Sequence, residues 1–425
     1  MKMNKLLCYL VTALFVLGTV NCVATEENQL VDAKIIDKAL QDLESSDKTR
    51  TMGVQVSVFK NGEVRYSNAA GFANYENKEP LTPKHKIRYA SVSKLFVALG
   101  VQKLAEQGKI KLNDPASKYL GFDLTNPNYP DVTITVSDLM NHLSSVRDAS
   151  NYSMPYPGKI SEFFAPGSEH YADGGHWADN KSKLQTPGEF FNYSNLGYGL
   201  LGTVIENVTG ERFDQWIRAN VLKPLGITGS YNVRDLSDYP VSNIHKYRQD
   251  KWSTSLNDQK NKLAVDPFTE YKAGDNGSLF SPQGGMRASS EELATALKWF
   301  IGNEDNGPIS KKGLRALEKQ QWIYNEKKQN GNNYGNLFSS FGQGIQCTQD
   351  IPMGDRIVAE GGIKLCGHLG DAYGLLSGFL YDVDNGWGVV YALSGTSNYA
   401  ENYGKYSAFY LWEEQILTAV VQAIK

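Results

Sequence analysis

A serine and a lysine stand three residues apart at the start of a strongly apolar segment: Ser91 and Lys94 lead into residues 95–104. On a helix, residues at this spacing share one face, here at the N-terminus, where negative charge is stabilised. A lysine in apolar surroundings has a lowered pKa and can accept a proton. The pair therefore has the features of a lysine-activated serine nucleophile. The alternative is that Ser91 only caps a helix and Lys94 extends into water.

A second polar group, Tyr193-Ser194-Asn195, leads directly into another predicted helix. A phenol near a lysine ammonium can be held as a phenolate or share its proton, and Asn195 can bind substrate amide groups. The same Y-x-N spacing recurs at Tyr334 and Asn336, within an Asn-rich stretch that we interpret as a surface loop. Without the serine and lysine, Tyr193 would be interpreted as a core tyrosine at a helix start.

The third candidate is the chain's single H-x-G sequence, His368-Leu369-Gly370, which follows a predicted strand over residues 363–367. At the end of a strand, this segment can line a cleft with backbone groups. The alternative is a glycine-rich turn between two strands. Each group is weak by itself, but the three occur in a fixed order along the chain.

In this order the motifs resemble those of the serine β-lactamase and penicillin-binding superfamily. Within that superfamily they are most similar to the branch that contains class C β-lactamases and D,D-carboxypeptidases/esterases. Y-x-N in place of S-D-N separates the chain from the class A pattern. The resemblance extends from about Asn28 to the C-terminus, and three further segments support it. They are residues 134–143, 223–227 and 283–289.

The resemblance implies an acyl-enzyme on Ser91, with Lys94 and Tyr193 relaying its proton. The backbone N–H groups of Ser91 and Asp371 would form the oxyanion hole, worth about 3 kcal/mol per donor. It implies no metal and no organic cofactor. The implied substrate is a small molecule or peptide, as a D-Ala peptidase, β-lactamase or esterase would take. The residues implied to bind substrate are Asn195, His368, Leu369 and Gly370.

The chain departs from the family pattern at the third motif. There the family often carries a lysine and then a hydroxyl residue, which bind the carboxylate of a β-lactam or of D-Ala-D-Ala. His368 and Leu369 stand at these positions, which weakens the case for an anionic ligand. A protonated His368 would recover some anion binding, and Arg287 is a possible substitute. Two long segments rich in Tyr, Trp and Gly, residues 148–186 and 231–282, are predicted to wall the site.

The arrangement of predicted elements indicates an α+β fold of the β-lactamase/transpeptidase type. A helical N-terminal segment and a hairpin through Asn61-Gly62 come first, and strands and a helix over residues 406–424 come last. We expect one catalytic domain over residues 25–425. Its antiparallel sheet would come from about 28–88 and 292–425, and its mostly helical part from about 89–291.

The N-terminus indicates export. Lys2 and Lys5 precede an apolar run over residues 6–20, which is typical of a signal peptide covering residues 1–24. The product would be periplasmic or extracellular, with no stable membrane span in the mature protein. A lipid anchor at Cys22 is disfavoured because Asn21 precedes it. A net charge of -3 with mixed signs gives no indication of nucleic-acid binding.

Two questions stay open at the level of sequence. Cys347 and Cys366 would remain in the mature protein, either as a disulfide between antiparallel strands or as two buried thiols. The functional alternative to a hydrolase is a catalytically silent binding or sensor protein with the same fold. The complete set of Ser91, Lys94 and Tyr193 favours an enzyme.

Overall fold

The computed structural model describes residues 31–46, 49–181, 185–302, 305–396 and 402–425, so the predicted signal peptide and Cys22 lie outside the described residues. The strands are β1 Gly53–Lys60, β2 Glu63–Asn74, β3 Glu79–Pro80, β4 Ile87–Arg88, β5 Ile244–Arg248, β6 Lys251–Leu256, β7 Arg287–Ala288, β8 Trp322–Ile323, β9 Ser340–Phe341, β10 Gln346–Cys347, β11 Cys366–Ala372, β12 Leu375–Asp382 and β13 Trp387–Ser394. The α-helices are α1 Ala33–Ser45, α2 Ser93–Glu106, α3 Ser117–Leu120, α4 Val136–Met140, α5 Asn195–Thr209, α6 Phe213–Ile217, α7 Asp258–Asn261, α8 Ser290–Ile301, α9 Lys311–Glu318 and α10 Leu411–Ile424.

A nine-stranded sheet with the order β3-β2-β1-β13-β12-β11-β10-β9-β8 organises the molecule. Strand β1 pairs antiparallel with β13, so the two ends of the chain meet in the middle of the sheet. The predicted hairpin is present, with Asn61 and Gly62 at φ 52° and 92°, values that suit a tight turn between β1 and β2. The predicted α+β class with N- and C-terminal strands in one sheet is confirmed.

The sheet has a packed core on each face. The terminal helices α1 and α10 cover one face, where Ile36, Leu40 and Trp412 pack against β1 and β13. On the other face lie α8 and α2, and α2 is buried on nearly all sides because its residues 95–101 are almost entirely apolar. No helix within the described residues is long and apolar enough to cross a bilayer.

Several predicted elements differ in the structure. The strand predicted over residues 341–347 is two short strands, β9 and β10, since Gly344 has φ 82° and a Cβ at Gly342 would lie 2.2 Å from a backbone oxygen. The strand predicted over 363–367 lies further along the chain as β11, so the H-x-G sequence is within a strand and is not a turn. The helical middle also contains the β5–β6 hairpin.

The two cysteines form a disulfide. Cys347 and Cys366 are direct partners in the β10–β11 register, and their Cα atoms are 4.0 Å apart. The alternative of two buried thiols is therefore wrong. The bridge joins β11 to its neighbour where their short ladder of two residue pairs ends.

Candidate active site

The candidate nucleophile sits at a sharp turn from strand to helix. After β4, Ala90 adopts φ 42°, an uncommon conformation for a residue with a side chain, and a short 3₁₀ turn then leads into α2. The buried Ser93 hydroxyl stabilises this turn, because it donates to the Ala90 carbonyl at 2.6 Å and accepts from the Met286 amide at 3.0 Å. Ser91 is left half-buried at the floor of a cleft.

Lys94 is fully buried, and its amine contacts three oxygens. The Nζ atom lies 2.8 Å from Asn195 Oδ1, 2.6 Å from the Gln283 carbonyl and 3.0 Å from Ser91 Oγ. The first two oxygens can only accept, so they take two N–H bonds of the amine. The third position of the nitrogen points at the serine hydroxyl. In a neutral amine this position is a lone pair, so the geometry suits proton transfer from Ser91 to Lys94.

Burial makes that neutral amine accessible at ordinary pH. Desolvation lowers the pKa of Lys94 to about 7, although the negative charge of Asp148 acts in the opposite direction. No carboxylate of the described residues forms an ion pair with Lys94. The structure therefore gives Lys94 the proton affinity of a general base without further assistance.

Tyr193 lies over the lysine. Its ring centroid is 4.8 Å from Lys94 Nζ, and its hydroxyl is buried without a completed hydrogen bond. Burial raises the pKa of the Tyr193 phenol well above its usual value, and the nearby Ser91 hydroxyl lowers it by a smaller amount. The resting group is thus a phenol, and the phenolate considered from sequence is not the resting form. A phenol in this place can donate a proton to a leaving group.

Two groups beneath Tyr193 were missed by sequence reasoning. The His142 ring lies 4.1 Å from the Tyr193 ring, and its Nδ1 accepts from the Ser194 amide at 3.1 Å, which places the proton on Nε2. Burial, reinforced by the charge of Lys94, lowers the pKa of His142 well below its usual value. The histidine is therefore neutral and acts as a platform for the tyrosine ring.

Asp148 is the second missed group. Its carboxylate accepts from Asn195 Nδ2 at 2.8 Å, from the Leu196 amide at 2.9 Å and from Ser194 Oγ at 3.1 Å. Because the Asn195 NH₂ group is bound to the carboxylate, Asn195 Oδ1 must face Lys94. Asp148 thus determines the orientation of Asn195 and stabilises the N-terminus of α5. The only sequence signal was its place as the first residue of the predicted wall segment 148–186.

Strand β11 runs directly beside the serine. A Cβ atom at Gly370 would lie 2.5 Å from the Tyr89 carbonyl, 3.1 Å from the Ser91 amide and 2.4 Å from Ser377 Oγ. Only glycine permits this approach, which brings the strand backbone next to the Ser91 N–H. Asp371 follows Gly370 along the strand and lines the same cleft. Its place in the oxyanion hole stays a prediction that the geometry supports.

His368 does not behave as expected for an anion site. It is 1% exposed, its Nδ1 lies 2.6 Å from the Leu369 carbonyl, and burial together with Lys94 lowers its pKa to about 3. Desolvation disfavours protonation of His368 near neutral pH, which argues against the expectation that a protonated His368 binds anions. Arg287 is no substitute either, since it forms a buried ion pair with Asp258.

The cleft has a volume of about 1080 Å³ and contains every residue assigned to substrate binding from sequence. Tyr152 and Ser281 come from the two predicted wall segments, but residues from 334–338 and from 403–413, outside those segments, also line the cleft. The Asn-rich stretch is an exposed loop, as predicted, and its Tyr334 also lines the cleft. The Tyr334 hydroxyl donates to the Tyr193 carbonyl at 3.4 Å. The assigned residues in the lining are Ser91, Tyr193, Asn195, His368, Leu369, Gly370 and Asp371.

Comparison with known families agrees with this geometry. The family model described as Beta-lactamase matches residues 33–407. The chain belongs to the beta-lactamase family. The resemblance inferred from the three motifs is thereby confirmed, and this beta-lactamase family member has the fold of a group of serine hydrolases that includes penicillin-binding proteins and D-amino acid amidases.

Curated relatives match over part of their length. Protein flp of Staphylococcus aureus (strain NCTC 8325 / PS 47) is 30% identical over 204 residues, which are 48% of this chain and 38% of that protein. Penicillin-binding protein 4* of Bacillus subtilis (strain 168) is 29% identical over 181 residues, 41% of this chain and 37% of that protein. The match thus spans well under half the length of these relatives.

Solved structures match over most of the chain. D-amino acid amidase from Ochrobactrum anthropi SV3, complexed with D-phenylalanine, has a TM-score of 0.65 and 20% identity, covering 92% of this chain and 98% of that one. Penicillin binding protein from Bacillus halodurans has a TM-score of 0.62 and 18% identity, covering 92% and 99%. These likenesses establish the fold of the family member.

Proposed function

We propose that this beta-lactamase family member is an exported serine hydrolase that forms an acyl-enzyme at Ser91. The observation that carries the proposal is the buried Lys94 amine, whose two carbonyl acceptors leave its third position facing Ser91 Oγ at 3.0 Å. A protein that only binds ligands has no need of a buried lysine with a pKa of about 7 beside a serine.

The reaction begins with transfer of the Ser91 hydroxyl proton to Lys94 while Oγ bonds to the substrate carbonyl carbon. The carbonyl oxygen, now negative, accepts from the backbone N–H groups of Ser91 and Asp371. As the bond to the leaving nitrogen or oxygen breaks, Tyr193 donates its proton to that atom and regains one from Lys94. Water then attacks the acyl-enzyme by the reverse relay and restores the Ser91 hydroxyl.

The substrate class is an amide, peptide or ester whose leaving group needs no fixed cation. At neutral pH, His368 and Leu369 offer neither a charge nor a hydroxyl donor at the positions where the family binds a carboxylate. Penicillins and D-Ala-D-Ala peptides carry their carboxylate on the leaving side of the scissile bond. They should therefore be turned over less well than neutral amides and esters. The likeness to a protein named D-amino acid amidase supports an amide substrate.

Export is part of the proposal. The Cys347–Cys366 disulfide supports an oxidising compartment, as the N-terminal sequence does. A periplasmic or extracellular enzyme would meet peptides and small amides there.

Intact-mass analysis after treatment with a fluorophosphonate tests the mechanism. The wild-type protein should gain one phosphonyl adduct, and Ser91→Ala should gain none. Ser150→Ala is the matched control, because Ser150 is an exposed serine lining the same cleft, and it should label like the wild type. Labelling of Ser91→Ala, or an unlabelled wild-type protein, would show that Ser91 is not an activated nucleophile and would favour a silent binding protein.

A substrate panel tests the class. We expect kcat/KM for a p-nitrophenyl ester and a neutral p-nitroanilide to exceed that for a penicillin and a D-Ala-D-Ala peptide at pH 7 and at pH 6. A clear preference for the penicillin or the peptide would contradict the proposed class and would mean that another group binds the leaving-side carboxylate.

A further inference from the structure

Two arginines are neighbours on paired strands beside the cleft, and only Arg287 has a carboxylate in contact. Arg88 on β4 and Arg287 on β7 are direct cross-strand partners. Arg287 forms a two-point ion pair with Asp258, both contacts at 2.9 Å, and also donates to two backbone carbonyls. Arg88 donates a single hydrogen bond, from Nε to the Gly284 carbonyl at 2.6 Å.

The unpaired guanidinium faces the cleft. Arg88 is 9% exposed, lines the cavity and lies over the Tyr373 ring at 5.0 Å. No carboxylate of the described residues lies within 4.0 Å of it, and its terminal nitrogens donate to none of those residues. Among the described residues lining the cleft, Arg88 is the single lysine or arginine.

This arrangement is unfavourable unless a ligand compensates it. Like charges directly opposite on paired strands repel, and a buried cation without a partner is costly. Burial and the charge of Arg287 lower the pKa of Arg88 to about 10, so Arg88 stays cationic at neutral pH. A planar guanidinium with free terminal N–H groups matches a carboxylate through two parallel hydrogen bonds.

The position of Arg88 relative to Ser91 decides which part of a substrate it can reach. Gly370 of β11 abuts the Ser91 amide, and His368 and Tyr373 lie on opposite sides of Gly370 along the chain. His368 is two residues before Gly370, about 7 Å away along the extended strand. Tyr373 begins the turn that follows β11 and has φ 62°. Arg88 stacks on Tyr373, so it lies on the side of the nucleophile away from position 368.

The two acidic residues of the lining interact with other groups than Arg88 does. Asp371 and Glu413 act on each other and on Tyr410, whereas the charges that act on Arg88 are those of Arg287, Asp258 and two tyrosines, Tyr152 and Tyr373. Asp258, the carboxylate among these charges, is already paired with Arg287. A carboxylate placed beside Arg88 would therefore meet the guanidinium and the two phenol groups.

We propose that Arg88 is the anion-binding residue of this cleft and that it accepts a carboxylate carried by the acyl portion of the substrate. In the family pattern, position 368 binds the carboxylate on the leaving portion, so the opposite side of Ser91 receives the acyl portion. The inference rests on the proposed acyl-enzyme function and adds the substrate feature that the cleft selects. Arg88 is a specificity residue and takes no part in the proton relay.

Three chromogenic or fluorogenic esters separate the possibilities. Mono-p-nitrophenyl glutarate carries its carboxylate on the acyl chain, p-nitrophenyl valerate is a neutral counterpart, and 4-(valeryloxy)benzoate carries the carboxylate on the leaving phenol. Spontaneous hydrolysis is subtracted with Ser91→Ala. Each ester is measured with the wild-type enzyme, Arg88→Gln, Arg88→Lys and a matched control, Arg50→Gln. Arg50 also lies over a tyrosine ring, Tyr247 at 5.7 Å, but does not line the cleft.

We expect Arg88→Gln to lower kcat/KM for the glutarate ester by roughly 10- to 100-fold more than for the valerate ester, mainly through KM. Arg88→Lys should recover part of the loss, and Arg50→Gln should leave all three values unchanged. If Arg88→Gln fails to fold, Tyr373→Leu replaces it. Tyr373 is 52% exposed, and its removal should weaken the same preference without disturbing the core.

Two results would overturn the inference. One is an equal loss on the glutarate and valerate esters in the arginine variants. The other is a loss confined to the leaving-group carboxylate of 4-(valeryloxy)benzoate. Either result leaves the proposed hydrolase intact as long as valerate turnover depends on Ser91. Absence of Ser91-dependent turnover of every ester would instead refute the proposed function itself.

Discussion

The cluster around Arg287 and the floor of the cleft around Lys94 are both buried, yet their polar groups are satisfied to very different degrees. In the first region, Asp258 is fully buried and provides both oxygens to Arg287. A second buried carboxylate, Asp214, pairs with Arg212 in the same way. Each of these two buried carboxylates has an arginine in contact.

The floor of the cleft lacks this compensation. Lys94 has no ion-pair partner among the described residues, and three nearby polar atoms are buried without a hydrogen bond: Tyr193 Oη, His142 Nε2 and His368 Nε2. Unsatisfied buried groups cost stability. We interpret the first region as arranged for stability and the second for the proposed reactivity, and this contrast can be tested by substitution.

Removing the buried amine should have the largest effect. We expect Lys94→Met to lower kcat/KM by at least about 1000-fold, because the serine and its base act as a unit. Lys94 has a lowered pKa in the folded protein, so the unfolded chain binds more protons between about pH 7 and 10.5 and stability rises with pH in that window. Burial of the Lys94 amine therefore lowers the free energy of unfolding by its full amount below pH 7.

The same variant should accordingly be as stable as the wild type at pH 6, or more stable. Urea unfolding at pH 6 and pH 9 measures this, and the gain should be larger at pH 6. A large loss of stability in Lys94→Met would show that the lysine supports the fold, and the contrast between the two regions would disappear.

Removing one partner of the paired region should have the opposite outcome. Asp258→Ala leaves the Arg287 charge buried alone, so we expect a loss of about 3–5 kcal/mol in the free energy of unfolding. Lys38→Ala is the control, since the Lys38–Asp42 pair is on the surface and its loss should change stability by about 0.5 kcal/mol or less. An equal loss of stability in Asp258→Ala and Lys38→Ala would mean that the buried Asp258–Arg287 pair stabilises the protein no more than the surface pair does.

Removing only the Tyr193 hydroxyl tests whether a single group at the floor of the cleft serves the reaction and not the stability of the fold. Tyr193→Phe keeps the ring contacts with His142 and deletes a hydroxyl that has no hydrogen-bond partner. We expect kcat/KM to fall by roughly 100-fold, as for loss of a general acid, with stability unchanged within about 1 kcal/mol. Wild-type turnover in this variant would remove Tyr193 from the proton relay.

The smallest effect concerns pH. Activity should rise with pH with an apparent pKa of about 7, because only neutral Lys94 can accept the serine proton. The negative charge of Asp148 raises the pKa of Lys94, so Asp148→Asn should move the midpoint of the kcat/KM profile to lower pH, by up to about one unit. A midpoint that stays in place would show that the profile reports another group.

The sequence predicted the floor of the site better than its walls. Ser91, Lys94, Tyr193 and Asn195 were found because helix starts and fixed spacings place them, and such local patterns are visible in a single chain. Asp148 and Tyr334 come from irregular loops, whose course depends on tertiary contacts and leaves no periodic pattern. Arg88 lies in the two-residue strand β4, and nothing in the sequence around it marked it as a site residue.

The same distinction holds for the fold. The hairpin at Asn61 and Gly62 has a local cause, and its prediction was correct. Strand β11 was displaced because its glycines suggested a turn, whereas Gly367 and Gly370 allow close packing against β12 and the turn before α2. Glycine in a strand marks either a break or a close approach, and the sequence alone does not separate the two.

Gly370 also limits how this scaffold can change. Any side chain there would collide with the Tyr89 carbonyl and Ser377 Oγ and push β11 away from the serine. Positions 368 and 369 are not subject to this constraint from the nucleophile turn. Substitutions in β11 are therefore tolerated unevenly. New specificities can arise at the residues flanking the glycine, whereas variants that replace Gly370 would lose the proposed activity and be removed by selection.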